Sequence, residues 1–183
     1  PAPPAPVPPV ESTPPAPIPP PVFSACSDHP NLAIVSQLFE LPENTSKLPD
    51  FSTMVPVVDV CVGQLNIANR AFTQGFPGVS EIFEWFALDM RFKVVIANSG
   101  NYKFYLNSDD GSILSIDDTD LINNDGTHSQ TEKTGTRYLA AGVHDFHVRY
   151  YQGPRTEIAL ELFWKIPGST QKVYVPSSVM MRP

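Results

Sequence analysis

Apolar residues recur at every second position in four long stretches of this chain, and that period leaves little room for anything but strands. Phe86, Leu88, Met90, Phe92, Val94 and Ile96 alternate with Ala87, Asp89, Arg91, Lys93 and Val95. Tyr102, Phe104 and Leu106 alternate with Lys103, Tyr105 and Asn107. Further on, His144, Phe146, Val148 and Tyr150 form a third set, and Ile158, Leu160, Leu162, Trp164 and Ile166 a fourth. Successive side chains of a strand point to opposite faces, so each stretch describes a strand with one buried face. Turn formers separate them: Asn98-Ser99-Gly100, Asn123-Asn124-Asp125-Gly126, Gln152-Gly153-Pro154 and Pro167-Gly168. No segment sustains a 3.6-residue period with caps. The expected fold is all-β, a sandwich or barrel-like domain of antiparallel strands.

The remaining segments speak less clearly. Residues 31–41 are apolar enough for a strand or a short helix, ended by Pro42. Residues 42–77 read as loop and short strand, with a glycosylation sequon at Asn44-Thr45-Ser46 that serves equally well as a polar turn. Leu121-Ile122 reads as a short strand, the polar residues 127–136 as a flexible loop, and Val173-Tyr174-Val175 as the last strand. At the other end, 12 of the first 21 residues are proline, which excludes helix and sheet interior and favours an extended polyproline conformation. The chain therefore divides into a proline-rich linker or stalk, 1–24, and one domain, 25–183, long enough to bury a core.

Net charge is −7 and Lys and Arg never cluster in sequence, which argues against nucleic acid, whose binding rests on phosphate neutralisation. No apolar run is long enough to span a bilayer. The chain opens on Pro1 without Met, as a processed polypeptide would. Cys26 and Cys61 have no neighbour at metal-ligand spacing. They are two buried thiols or one disulfide; a disulfide would pin the entry segment to the body, contribute about 3 kcal/mol and imply an oxidising compartment outside the cytoplasm.

The stretch Ser108-Asp109-Asp110-Gly111-Ser112 carries the chemistry. It follows one alternating strand and precedes another, with Leu114 and Ile116 inward, so it reads as a rigid hairpin with two adjacent carboxylates at its tip. Such carboxylates are either hydrated, one capping the turn, or they hold a hard cation, for which calcium is the natural choice. Other chemistry fails on spacing. Asp117-Asp118-Thr119-Asp120 with Asn123–Gly126 does not fit an EF-hand, and His144 and His147, three apart on a strand, face opposite sides. Neighbouring carboxylates on one turn cannot flank a scissile glycosidic bond, and no nucleophile or phosphate-binding motif appears, so no enzyme is expected.

With Glu84-Trp85-Phe86-Ala87, Gly100-Asn101-Tyr102-Lys103-Phe104, the Asp-Asp stretch, Leu139-Ala140-Ala141-Gly142 and Ile158–Trp164 in this order, residues 31–181 resemble the domain family named after anthrax protective antigen, which occurs also in yeast flocculins and glycosidases. The resemblance implies a β-sandwich that binds and does not catalyse. In sugar-binding members, two Asp residues joined by a cis peptide hold a calcium ion that in turn holds sugar hydroxyls. That role falls here on Asp109 and Asp110. The flocculins add an Asn from the loop that reads Tyr151-Gln152-Gly153-Pro154-Arg155 here, and no Asn is present. Gln152 offers a carbonyl oxygen instead, Arg155 brings positive charge to the rim, and Asn123, Asn124 and Asp125 are substitute oxygen donors. Tyr105 and Tyr151 are candidate stacking surfaces for a sugar ring. The expected partner is carbohydrate on a cell surface, and the module is expected to be secreted or surface-exposed. The competing expectation is a structural or protein–protein module in which the Asp pair only fixes a turn.

Overall fold

A computed structural model describes residues 22–73, 75–77, 79–154 and 157–183. Among these, thirteen strands follow one another: β1 (Ser24–Ala25), β2 (Ile34–Glu40), β3 (Val58–Val62), β4 (Asn66–Ala71), β5 (Phe86–Ile96), β6 (Gly100–Asp109), β7 (Ser112–Ile116), β8 (Thr119–Asn124), β9 (Thr131–Leu139), β10 (Gly142–Gln152), β11 (Glu157–Lys165), β12 (Val173–Tyr174) and β13 (Met180–Met181). They build two antiparallel sheets. The larger runs β1-β3-β2-β5-β10-β7-β8, with β13 also on β5; the smaller runs β12-β11-β6-β9, with β4 on β11. No helix among the described residues is long and apolar enough to cross a membrane.

The alternating residues meet between the sheets. Leu88, Met90, Phe92 and Val94 of β5 and Phe146, Val148 and Tyr150 of β10 share one core with Phe104 and Leu106 of β6 and Leu160, Leu162 and Trp164 of β11. Phe104 meets Phe146 edge-on, centroids 5.6 Å apart, joining the two sheets. Removing such a ring, as in Phe104→Ala, should cost about 3–5 kcal/mol. The larger sheet also buries part of its outer face. Phe39, Leu41, Ala87 and Tyr151 pack there beneath Leu48, Phe51 and Met54 of the long connection before β3.

Several segments differ from the sequence expectation. Residues 31–41 yield a strand, β2, which lies between β3 and β5. Residues expected to form a flexible loop at 127–136 mostly belong to β9, which pairs along β6 from Ser108↔Thr131 to Gly100↔Leu139. Its first residues are mostly exposed and its buried face carries Gly135, Arg137 and only one apolar residue, Leu139, so no apolar alternation marks it. Val173–Tyr174 is not the last strand, since Met180–Met181 pairs with Val94 and Lys93. The expected linker lies outside the described residues up to residue 21; Phe23, at 1% exposure, is already part of the core and Ser24 pairs with Cys61. Cys26 and Cys61 form a disulfide that ties this entry segment to β3.

Candidate functional site

The Asp-Asp stretch is not a hairpin tip. β6 belongs to the smaller sheet and β7 to the larger, so Asp109, Asp110 and Gly111 form the crossing between them. Buried hydroxyls fix the two ends: Ser108 and Ser112, both fully buried, have their Oγ atoms 2.6 Å apart. Asn124 donates to Ser108 Oγ at 3.1 Å and to the Thr131 carbonyl at 2.9 Å, while its own Oδ1 is buried with no partner among the described residues. Gly111 is required by close approach, because a Cβ there would stand 2.6 Å from the Tyr151 ring and 2.9 Å from the Gly126 nitrogen.

The two carboxylates are treated differently. Asp110 is 4% exposed, and both its oxygens accept from main-chain N–H groups, Oδ1 from His128 at 3.0 Å and Oδ2 from Gly153 at 2.8 Å. One side chain thus clamps the 125–130 loop and the loop after β10 to the crossing. Asp109, joined to it by a cis peptide, is half-buried. Its carboxyl is pushed above the usual range by burial and by the Asp110 charge, against the opposing pull of the Gln130 amide and His128. Beneath the pair, the buried Tyr150 hydroxyl lies 2.5 Å from the Asp109 carbonyl and 2.5 Å from Gln152 Oε1. Burial first, then the two Asp charges, drive the Tyr150 phenol well above its ordinary value, which keeps it a hydrogen-bond donor here.

Several sequence candidates stand elsewhere than expected. Gln152 is 2% exposed and its carbonyl oxygen faces Tyr150, so it braces the crossing from inside and does not line a rim. Arg155 lies outside the described residues. Asn123 and Asp125 are turn residues: Asn123 Oδ1 accepts from the Asp125 amide, and Asp125 Oδ1 from the Leu48 and Gly126 amides. Tyr151 is fully buried, its hydroxyl 2.6 Å from Thr127 Oγ1, and offers no face to a sugar. Tyr105, 8% exposed, lies on the outer face of the smaller sheet beneath Lys103, Lys165 and Lys172. The aromatic that does border the crossing is Trp85. It is half-buried with a positive φ, its N–H donates to the Gly153 carbonyl at 3.0 Å, and its ring lies 3.5 Å from the point a Gly153 Cβ would occupy. The Glu84-Trp85 pair preceding the alternating run marked the start of a strand, and only the packing brings that ring to the carboxylates.

The pair fits a hard cation in charge and donor type: two adjacent carboxylates that repel, with one partly accessible. Among the described residues, however, no three His, Cys, Asp or Glu side chains come together, so neutral oxygens would have to complete a coordination shell.

A two-sheet antiparallel sandwich with buried carboxylates at the crossing between sheets defines an all-β module whose loops meet at one end. The family model of the PA14 domain matches residues 69–178, more than half of the chain, and the chain belongs to that family. An anti-sigma factor domain-containing protein shares 25% identity at a TM-score of 0.65, over 84% of this chain and 48% of its own. The chain thus spans about half the length of that protein. The PA14 sugar-binding domain of an RTX adhesin has a TM-score of 0.66 at 12% identity, covering 83% of this chain and 99% of its own. The A domain of epithelial adhesin 6 from Candida glabrata, solved with Galb1-3GlcNAc, has a TM-score of 0.61 at 13% identity, over 83% and 87%. At those identities the two adhesin domains share the fold with this chain. No curated protein matches the chain in sequence.

Proposed function

We propose that this domain is a non-catalytic binding and adhesion module of an extracellular or cell-surface protein, recognising carbohydrate at the β6–β7 crossing. Asp109 and Asp110 would hold a calcium ion, and the ion would supply a positive charge toward which sugar hydroxyls orient. The observation that carries this reading is the unequal pair: Asp110 is consumed in organising two loops, while Asp109 stays partly accessible with its charge raised in energy by burial first and then by its neighbour. A cation relieves that repulsion, and a buried clamp keeps the loops preorganised for it. The half-buried Trp85 ring beside Gly153 supplies the apolar surface on which a sugar ring stacks. Family membership and the sugar-binding adhesin domains of the same fold support the ligand class. The Cys26–Cys61 disulfide supports an oxidising compartment.

A second reading keeps the domain as a structural or protein-binding module. It is favoured by one observation, that both Asp110 oxygens already accept main-chain hydrogen bonds without any ion. A glycan array run in calcium and in chelator separates the two. Specific hits that need calcium and vanish in Asp109→Asn support the sugar reading. Hits untouched by both changes remove the ion and this site from it, and an array without specific hits leaves the protein-binding reading.

A further inference from the structure

The outer face of the larger sheet carries a second constellation, of paired acids and bases. Asp89 and Arg149 sit opposite each other on β5 and β10, as do Arg91 and His147 one rung along. Asp89, 7% exposed, is bound by His147 Nε2 through Oδ1 and by Arg91 through Oδ2 at 3.2 Å, so its charge is spent within the sheet. Arg149 Nη2 donates to Ser115 at 2.9 Å and to Asp120, but its Nε–H is buried without any acceptor among the described residues. A buried donor of a charged group left unbonded is costly, and native proteins rarely leave one so.

These side chains lie in an open cleft of about 650 Å³, bordered on one side by residues 47–52. Lys47 reaches into its wall, and Leu48, Pro49 and Phe51 give that side an apolar lining. Asp50, the other carboxylate there, accepts from the amide and hydroxyl of Ser52. Three of the 12 Lys and Arg, with His147, converge on this cleft. Arg91 and His147 are paired with Asp89 and Arg149 with Asp120, which leaves Lys47 as the cation there with no acidic partner among the described residues.

We propose that this cleft binds an oxyanion, the carboxylate or sulfate of an acidic sugar, between Arg149 and Lys47. With a shift of the Arg149 side chain that uncovers its Nε–H, an oxyanion gives that donor the acceptor it lacks in a charge-assisted bond, and its second oxygen meets the Lys47 ammonium. The volume suits one sugar-sized ligand, with Pro49 and Phe51 against its apolar side. Arg149 and Gly153 are four residues apart on and just beyond β10, roughly 13 Å along an extended strand, with the buried Tyr151 between them, so the cleft is a site separate from the β6–β7 crossing. The anion site stands on its own residues; that a sugar carries the anion rests on the function proposed above.

The test is a titration of the intact chain at constant ionic strength with sodium glucuronate, sodium sulfate and polyglutamate, against sodium chloride. It is read from the Arg149 Nε–H and the Leu48 and His147 amide resonances. Saturable shifts with glucuronate identify a carboxylate and with sulfate a sulfate ester, and each supports the site when Lys47→Gln weakens binding roughly tenfold. Lys47 is exposed on a loop, so this variant keeps the fold where Arg149→Gln risks it. Shifts linear in concentration, shared with chloride, or unchanged in Lys47→Gln overturn the proposal. Saturation by polyglutamate alone assigns the cleft to an acidic protein and removes the sugar. In Asp110→Asn, retained saturation beside lost glycan binding separates the fate of this site from that of the crossing.

Discussion

Asp89 and Asp110 are both buried carboxylates at 7% and 4% exposure, yet they are solved by opposite means. Asp89 is met by charges. Burial pushes its carboxyl up, but the bond to His147, the His147 charge and Arg91 outweigh that and hold it below the usual range. Asp110 is met by two neutral main-chain N–H groups and has a second acid, Asp109, as its covalent neighbour. Charges cancel a charge; amides only solvate it. The Asp89 region therefore holds its acids and bases as pairs, whereas the crossing sets two acids side by side.

The largest effect is expected where a counter-charge is removed. Asp89→Ala strands His147 and Arg91 and should cost about 3 kcal/mol by denaturant unfolding, the low end for a buried pair because Arg91 is largely exposed. A cost below that of a surface substitution would mean the array carries no charge coupling, and the contrast with Asp110 would collapse. Next comes the ion. Calcium at a hundredfold excess over its dissociation constant should stabilise the wild type by about 2.7 kcal/mol, raising the unfolding midpoint by several degrees, and leave Asp109→Asn unmoved. The shift should shrink as pH falls toward the raised Asp109 range, since a proton then competes with the cation.

Asp110→Asn turns one acceptor into a donor that faces a main-chain N–H, either of His128 or of Gly153. It should cost about 2 kcal/mol even in chelator, which separates clamping from ion binding. The smallest effect concerns the exposed pair His144–Asp117, 2.7 Å apart, with the second His144 nitrogen 2.9 Å from the Ala140 carbonyl. For His144, burial lowers the pKa, but the Asp117 bond, the Ala140 carbonyl and the Asp117 charge together raise it above 6.5. For Asp117, burial raises it, but His144 and the Asp145 amide bring it below 3.8. The His contribution is complete below pH 6.5 and fades as pH rises through its folded value; the Asp contribution is present above pH 3.8 and fades on acidification through its own. Stability from the pair therefore peaks between these limits, by roughly 0.5 kcal/mol for so exposed a pair, and His144→Gln should flatten the upper slope of a pH–melting curve.

Much of this was determined by the sequence alone. Alternation marked β5, β6, β10 and β11 and their core residues, because a pleated strand with one buried face permits no other apolar pattern. The adjacent carboxylates were legible directly, the disulfide only as one of two alternatives for Cys26 and Cys61, and the family resemblance rested on the order of five short stretches. What alternation cannot say is which sheet a strand joins or what covers its other face. It made Asp109 and Asp110 a hairpin tip, while long-range pairing sends β6 to one sheet and β7 to the other. It left residues 127–136 as loop, because this edge strand needs partners on β6 more than apolar residues and buries only Leu139 deeply, beyond that stretch. Tyr105 and Tyr151 point outward as expected, yet lysine stems cover the first and Gly111 and neighbouring apolar groups the second. The grouping of these charged residues was likewise a tertiary decision, since Asp89, Arg149 and Lys47 are far apart in sequence and meet only when the connection before β3 folds over β5 and β10.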